Sequence, residues 1–439
     1  MRRICFRLVV TLLAISTLSA KSFAQDTLKL TLNEALEIAM SENLTVMVAE
    51  KEIIKSGYAK KGAYAALFPQ IDLSGNYQRT IAKQTMFFAG QSMKIGTDNT
   101  WSGGVGAGMP LVSPTLWSSL KISAMDVELS VEKARESKIN LIDEVQQTYY
   151  SILMAKASYG VLKENYDNAV RNFNDIKAKY NEGRVSKYDM ITAEVNVKNT
   201  EPSLFDAQNN ITLLLWKLKA VIGLDLNQEI SCKGELIDYK EMLTNVSNNG
   251  DVNLANNSTI KQLEMQLGIL DQTYKMQLAQ YYPSLNLTFA YQFTAMNDHF
   301  RLGEYMWSPY SVAGISLAIP IFSGGQRRNA LKQTKVQKEQ LKLQSESVAR
   351  DLEVAVKQTL NSMNTSIKKY EAALSSIEGA QAGYEISEKR YEVGSGTILE
   401  MDASRVALLS SKLNLYTAVY NYLVGKSSLE KIIGEQIAK

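Results

Sequence analysis

Apolar positions along this chain change period twice in each half. From Tyr149 they fall at Tyr149, Ile152, Ala155, Tyr159, Leu162, Tyr166, Ala169, Phe173, Ile176 and Tyr180, stepping almost entirely by alternating threes and fours. That spacing is a coiled-coil seam. Leu360, Met363, Ile367, Tyr370, Leu374 and Ile377 repeat it in the second half. Residues from about Thr115 to Tyr180, and from about Gln326 to Tyr391, contain no proline and no multi-glycine break once the helix has started. At 1.5 Å per residue, each stretch predicts a helix of roughly 100 Å. The chain then turns and returns, through Leu204, Ile211, Leu215, Leu218 and Ile222 in one half and Leu399, Ala403, Val406, Leu413, Tyr416, Tyr420 and Leu423 in the other. Pro202 is expected to kink or split the first return helix.

Ahead of each long helix the period drops to two. Ile71, Leu73, Tyr77 and Ile81 alternate with Asp72, Ser74, Asn76 and Gln78, predicting a strand with one apolar face. A polar, glycine-containing loop follows, and Trp101, Val105, Ala107, Met109 and Leu111 form the return strand. The second half gives Leu285, Leu287, Phe289, Tyr291 and Phe293 against Asn286, Thr288 and Gln292, returning from Ser311 to Ile319 with weaker alternation. An opening helix from about Leu32 to Leu67 precedes the first strand pair. Thr31 with Glu34 gives its start a capping-box pattern, and Pro69 ends it.

These halves are one unit written twice. Phe68-Pro69-Gln70-Ile71-Asp72-Leu73 matches Tyr282-Pro283-Ser284-Leu285-Asn286-Leu287, and Met109-Pro110-Leu111 matches Ile319-Pro320-Ile321. Tyr180-Asn181-Glu182-Gly183 matches Tyr391-Glu392-Val393-Gly394, and Ala220-Val221-Ile222-Gly223 matches Lys431-Ile432-Ile433-Gly434, all in the same order. The expected organisation is a first repeat over 25–224 with its β-hairpin at 69–112 and its helical turn at 180–188. An Asn-, Gly-, Asp- and Ser-rich connector covers 225–258. A second repeat over 259–439 has its β-hairpin at 283–321 and its turn at 391–399. The fold class is thus mainly α with a small β part.

Four strands of nearly membrane-crossing length cannot close a barrel, and open edges find no partner in lipid. Three copies would supply twelve strands, within the range of closed barrels. Tyr77, Trp101, Tyr291, Trp307 and Tyr310 near the strand ends suit an aromatic girdle.

Composition narrows the function. Arg2, Arg3 and Arg7 precede the apolar run Leu8 to Leu18, and Ser22-Phe23-Ala24 offers a small-x-small cleavage site, so 1–24 reads as a signal peptide. Cys5 lies inside it, which argues against an acyl anchor. Loss of Arg2, Arg3, Arg7 and Lys21 takes the formal net charge from +3 to −1, and nothing suggests a nucleic-acid partner. One cysteine, Cys232, and one histidine, His299, remain. These counts exclude Cys/His nucleophile pairs, His triads and multi-His zinc sites, leaving only a carboxylate-only site open. No catalysis, cofactor or metal is expected. His299 is expected in a surface loop, and the tyrosine-rich seam is expected to be core packing.

Tyr180-Asn-Glu-Gly-Arg-Val-Ser-Lys-Tyr-Asp189 and Arg390-Tyr-Glu-Val-Gly-Ser-Gly-Thr-Ile-Leu-Glu400 resemble the paired Tyr-x-x-Gly turns of the TolC-like outer-membrane efflux proteins. The likeness extends over the whole mature chain. It implies a homotrimer with a 12-stranded barrel in the outer-membrane lipid and a helical tunnel in the periplasm. Its tips would meet a periplasmic adaptor coupled to an inner-membrane pump or ABC transporter, for efflux or type I secretion. Gly183, Arg184, Val185 and Ser186, with Gly394, Ser395, Gly396 and Thr397, are the implied docking tips, although Gly183 and Gly394 also read as plain helix-ending glycines.

Asp189 and Glu400 each lie six residues after a tip glycine, so a trimer would carry six acids there. They read either as an acidic constriction that favours cations or as acids placed at the positive start of a return helix. The resemblance implies that Tyr391 and Asp189 link the two coiled coils. Gly396 stands where a gate arginine is expected and Ala403 where a second acid would follow Glu400. Asp402 lies about 100° around the helix from that position. A porin would need more strands and fewer helices. The alternative is a trimeric, adhesin-like structural protein, which leaves two equivalent hairpins each with a strand pair unexplained. The cargo, whether drugs, metals or proteins, leaves no record in the sequence.

Overall fold

The computed structural model describes residues 28–88, 90–244 and 253–435. The signal peptide and residues 245–252 of the connector lie outside them. In chain order the elements are β1 (Leu28–Leu30), α1 (Leu32–Glu42), α2 (Leu44–Ala65), β2 (Gln70–Arg79), β3 (Gln84–Phe88), β4 (Gln91–Ile95) and β5 (Asn99–Val112). Then come α3 (Pro114–Asn181), α4 (Lys187–Ile222), β6 (Ile230–Cys232), α5 (Glu241–Thr244), α6 (Ser258–Ala279), β7 (Ser284–Asn297), β8 (Ser308–Ala318), α7 (Gln326–Glu392) and α8 (Ile398–Ile433). The protein is mainly helical with a small β part, as the periodicity predicts.

Three expectations are corrected. The opening helix is two helices, because Asn43 takes an extended conformation between them. Its side-chain oxygen caps α2 through Thr45 N (2.8 Å) and Val46 N (3.1 Å), while its amide donates to Val221 O (2.7 Å). Asparagine offers donor and acceptor together, so one residue satisfies two helix ends. Next, α4 runs through Pro202 without a break. Proline deletes one backbone hydrogen bond, and apolar packing of Met190 and Ala193 before it and Leu214, Leu215 and Leu218 after it holds the helix on both sides. Finally, the loop after β2 contains a hairpin of its own, β3 against β4, with Met86 opposite Met93.

The contacts divide the chain into two compact units, each drawn from both halves of the sequence. Among the described residues, one comprises 28–47, 137–244, 253–254 and 352–435. Its core contains Tyr149, Ile152, Leu153, Leu218, Ile222, Val419 and Leu423, so seam residues from α3, α4 and α8 meet as the heptad spacing requires. The connector contributes β6, which pairs in parallel with β1 and brings Cys232 beside Leu30. Tyr149 Oη lies 3.0 Å from Leu30 O and 2.6 Å from Lys233 O. Asp143 joins the two halves, accepting from Ser427 Oγ (2.7 Å) and Lys431 Nζ (3.2 Å). Gly425 is needed on α8, because a Cβ there would meet Met363 Cγ at 2.8 Å.

The other unit comprises 48–136 and 255–351. Its antiparallel sheet runs β2-β5-β7-β8, with β2 and β8 as open edges. One face carries Ile71, Leu73 and Tyr77 beside Ala107, Val105 and Trp101, then Phe289, Tyr291 and Phe293. The other carries Ser74, Asn76 and Gln78 beside Gly104, Ser102 and Thr100, then Gln292 and Thr294. Leu73 is 83% exposed, which suits a face turned to hydrocarbon. Gly104 permits close strand approach, since a Cβ there would lie 2.3 Å from Tyr291 O. Pro110 has no N–H to give the ladder, and the β5–β7 register shifts beside it. Lys83, bonded to Asp98 (3.2 Å) and Asp298 (2.6 Å), clasps the far ends of the two hairpins. His299 is exposed. No described helix is long and apolar enough to cross a membrane.

Candidate functional site

Each long helix ends on a glycine with positive φ, 74° at both Gly183 and Gly394. An L side chain strains there, whereas glycine does not. At the first turn Gly183 N donates to Tyr180 O (2.9 Å) and Arg184 N to Lys179 O (2.9 Å). At the second, Gly394 N donates to Tyr391 O (3.1 Å) and Ser395 N to Arg390 O (2.8 Å). These are paired C-terminal caps of one design.

The return helices start alike as well. Ser186 Oγ accepts from Asp189 N (3.2 Å), and Asp189 Oδ2 accepts from Ser186 N (3.2 Å) and Ser186 Oγ (2.7 Å). Thr397 Oγ1 accepts from Glu400 N (3.2 Å), and Glu400 Oε2 accepts from Thr397 N (3.4 Å). Both acids therefore occupy the third position of a capping box. The helix-start reading of Asp189 and Glu400 describes their geometry. It leaves open their role in a constriction, because each remains a carboxylate beside an exposed turn.

Of the eight tip residues, Gly183, Arg184, Ser186, Gly394, Ser395 and Thr397 are exposed. Val185 instead packs toward Ile176, Ala193, Ile398 and Met401, a cluster from α3, α4 and α8 that Tyr384 and Tyr391 of α7 also pack against. Gly396 is half-buried, and a Cβ there would sit 3.1 Å from Arg390 Cβ. The turn closes over Arg390, so any side chain at 396 would crowd it by a few tenths of an ångström. Arg390 itself reaches Ser395 O (3.1 Å) and lies 3.8 Å from Glu400. A guanidinium therefore stands beside Glu400, supplied from before the turn.

Tyr391 packs against the same apolar cluster. Its hydroxyl is buried and has no hydrogen-bond partner among the described residues. Burial raises its pKa, with Asp189 and Asp402 adding to the effect. Asp189 is engaged in its own cap rather than with this hydroxyl. A different set of polar residues ties the hairpins together. Asn196 on α4 donates to Asp402 on α8, Arg405 lies 3.4 Å from Asp402, and Arg405 Nη1 donates to Asn165 Oδ1 on α3 (2.8 Å). Arg405 and Asp402 side chains are only 10% and 14% exposed. Desolvation raises the Asp402 pKa, opposed by Arg405 and Asn196.

The sequence reading passed over Arg390, Asn165, Asn196 and Arg405. Arg390 adjoins Tyr391 inside the quoted motif, and Asp402 with Arg405 is an i, i+3 pair of opposite charge that could have been noticed.

The arrangement holds helical turns in place and offers no set of groups for catalysis. Among the described residues, no group of three or more His, Cys, Asp or Glu could hold a metal ion. The fold is similar to solved outer-membrane channels. The Campylobacter jejuni CmeC channel matches at 19% identity with a TM-score of 0.74, covering 92% of this chain and 85% of that one. Vibrio cholerae VceC matches at 14% identity and 0.74, covering 92% and 96%. The open state of the Neisseria gonorrhoeae MtrE channel matches at 16% and 0.70, covering 92% and 88%. No curated protein matches the chain by sequence. The family model for outer membrane efflux proteins matches residues 35–224 and 251–435, and the chain belongs to that family of outer-membrane channels, which are not enzymes.

Proposed function

We propose that this chain is one third of a trimeric exit duct in which cargo passes passively and a periplasmic adaptor docks at the helical tips, bringing in an inner-membrane pump or ABC transporter. The observation that carries the reading is the pair of like-built turns. Two exposed glycine caps, each followed by a capping box, end two long hairpins that share one apolar cluster. Three copies would present six such turns, each with a backbone shape fixed by its own hydrogen bonds. The open edges of the sheet support trimerisation, since β2 and β8 must pair with something in lipid.

Asp189 and Glu400 would give the trimer six carboxylates near its turns, which favours cations through local potential. Tyr391 contributes apolar packing to closure. The polar link falls to Asp402, Asn196, Arg405 and Asn165, because Asp189 is committed to its cap. Planar-bilayer recording of the purified trimer tests the duct. It is expected to conduct with cation preference, and Asp189→Ala with Glu400→Ala to reduce that preference. A trimer that never conducts sinks the duct, and an unchanged reversal potential in the double variant sinks the acidic ring.

A further inference from the structure

Charge is distributed unevenly along the helices, and the imbalance is largest where they meet the sheet. Helices α2 and α6 lead into β2 and β7, while α3 and α7 leave β5 and β8, so all four helix ends adjoin the same end of the strands. Within the ten helix residues nearest the strands, about 15 Å of helix, α2 carries Lys60 and Lys61 and α3 carries Lys121. Over the same span α7 carries Arg327, Arg328, Lys332 and Lys335, and α6 carries Lys275 with Asp271. That is eight basic residues against one acid, and the acid is ion-paired with Lys338. The connecting segments 66–69, 113, 280–283 and 319–325 carry no charge at all.

Aromatic side chains occupy the same level. Tyr64, Phe68, Trp117, Tyr281, Tyr282 and Phe322 are all exposed where strand gives way to helix. Arg327 donates to Pro320 O (3.1 Å) and sits over the Tyr281 ring at 5.4 Å. Exposed aromatics next to lysine and arginine suit the boundary where hydrocarbon meets headgroups, because each side chain has an apolar body and a polar end. Lys61, Lys121, Lys275, Arg328, Lys332 and Lys335 are exposed.

We propose that this basic and aromatic collar binds anionic phospholipid headgroups of the periplasmic leaflet, the class typified by phosphatidylglycerol. Continuity with the membrane-crossing sheet identifies the occupant: headgroup phosphates lie at the level where strands end, and clustered cations beside a membrane attract anionic lipid. A trimer would repeat the collar three times, giving a continuous preference around the channel. The inference rests on outer-membrane location and not on the gate or the adaptor.

The test uses the full-length trimer in phosphatidylcholine vesicles with spin-labelled phosphatidylglycerol or spin-labelled phosphatidylcholine as the probe. The motionally restricted fraction gives the relative affinity. The unaltered protein is expected to prefer phosphatidylglycerol about threefold at low salt, and to lose most of that preference in 1 M salt. Replacing Lys61, Lys121, Arg328 and Lys332 by glutamine should bring the ratio close to one. The same change at Lys163, Lys177, Lys198 and Lys368, elsewhere on the helices, should leave it unaltered. Equal loss in both variants overturns the proposal, as does a collar variant that keeps the preference while its reversal potential shifts, which would put the charges in the duct. Abolition of the preference by soluble glycerol phosphate also overturns it in favour of a free-anion site. If the collar variant does not assemble, the unaltered protein decides: a ratio near one at low salt refutes lipid binding.

Discussion

The strand-bearing unit and the helical turns use glycine and charge in contrasting ways. In the sheet, Gly104 is required by crowding, since a Cβ would strike Tyr291 O. In the turns, Gly183 and Gly394 have open space around them and are required by backbone angle alone. Charge divides similarly. Eight basic residues and one acid border the strands, whereas the ten helix residues on each side of both turns, with the turn residues themselves, hold seven basic and nine acidic ones. The first region thus carries a net positive charge beside its strands. The second comes close to balancing its charges, with Glu182 beside Arg184, Glu400 beside Arg390 and Asp402 beside Arg405.

The contrast breaks if the two kinds of glycine respond alike. Gly104→Val should cost about 3 kcal/mol or more through overpacking and abolish the trimer on size-exclusion chromatography in detergent. Gly183→Ala combined with Gly394→Ala should leave that trimer intact. Between these in size is Asp402→Ala, which strands Arg405 with Asn165 alone. A loss of about 1–3 kcal/mol should raise hydrogen exchange in residues flanking both turns and not in the sheet. The double glycine variant should cost about 1 kcal/mol per turn and raise exchange only in the adjoining helix ends.

The smallest effect is a pH dependence. Because the folded Asp402 pKa is raised, its contribution is fully present below the ordinary value of 3.8 and is lost as pH rises through the folded value. Exchange at the turns, corrected for its intrinsic pH dependence, should therefore increase from pH 4 upward in the native protein and stay flat in Asp402→Asn. Cys232 serves as the control. Burial pushes its thiol up to about 11, so a maleimide at pH 7.5 should fail to label it in every turn variant, and labelling would mean that the damage had spread into the core.

Much of this fold was legible because period carries it. Ile71, Leu73 and Tyr77 needed only alternation, and the seam from Tyr149 to Tyr180 only threes and fours. The break at Asn43 was hidden, since the residue is defined by Val221, far along the chain, and no local pattern announces that partner. Pro202 misled for the opposite reason: a local rule predicted a break that tertiary packing overrides. At the turns, the glycines and capping acids were visible at fixed offsets. The Asp402, Asn196, Arg405 and Asn165 link was not, because it joins three helices and only Asp402 and Arg405 are neighbours in sequence.

The unpaired edges of β2 and β8 have a consequence for how this molecule comes into being. A strand edge with free backbone groups and an apolar face will pair with whatever sheet it meets first. A lone protomer is thus a transient and hazardous species, and the stability of the folded state depends on how many copies are present. Biogenesis then becomes a race between correct meeting and aggregation, decided by protomer concentration and by whatever shields those edges before the membrane is reached.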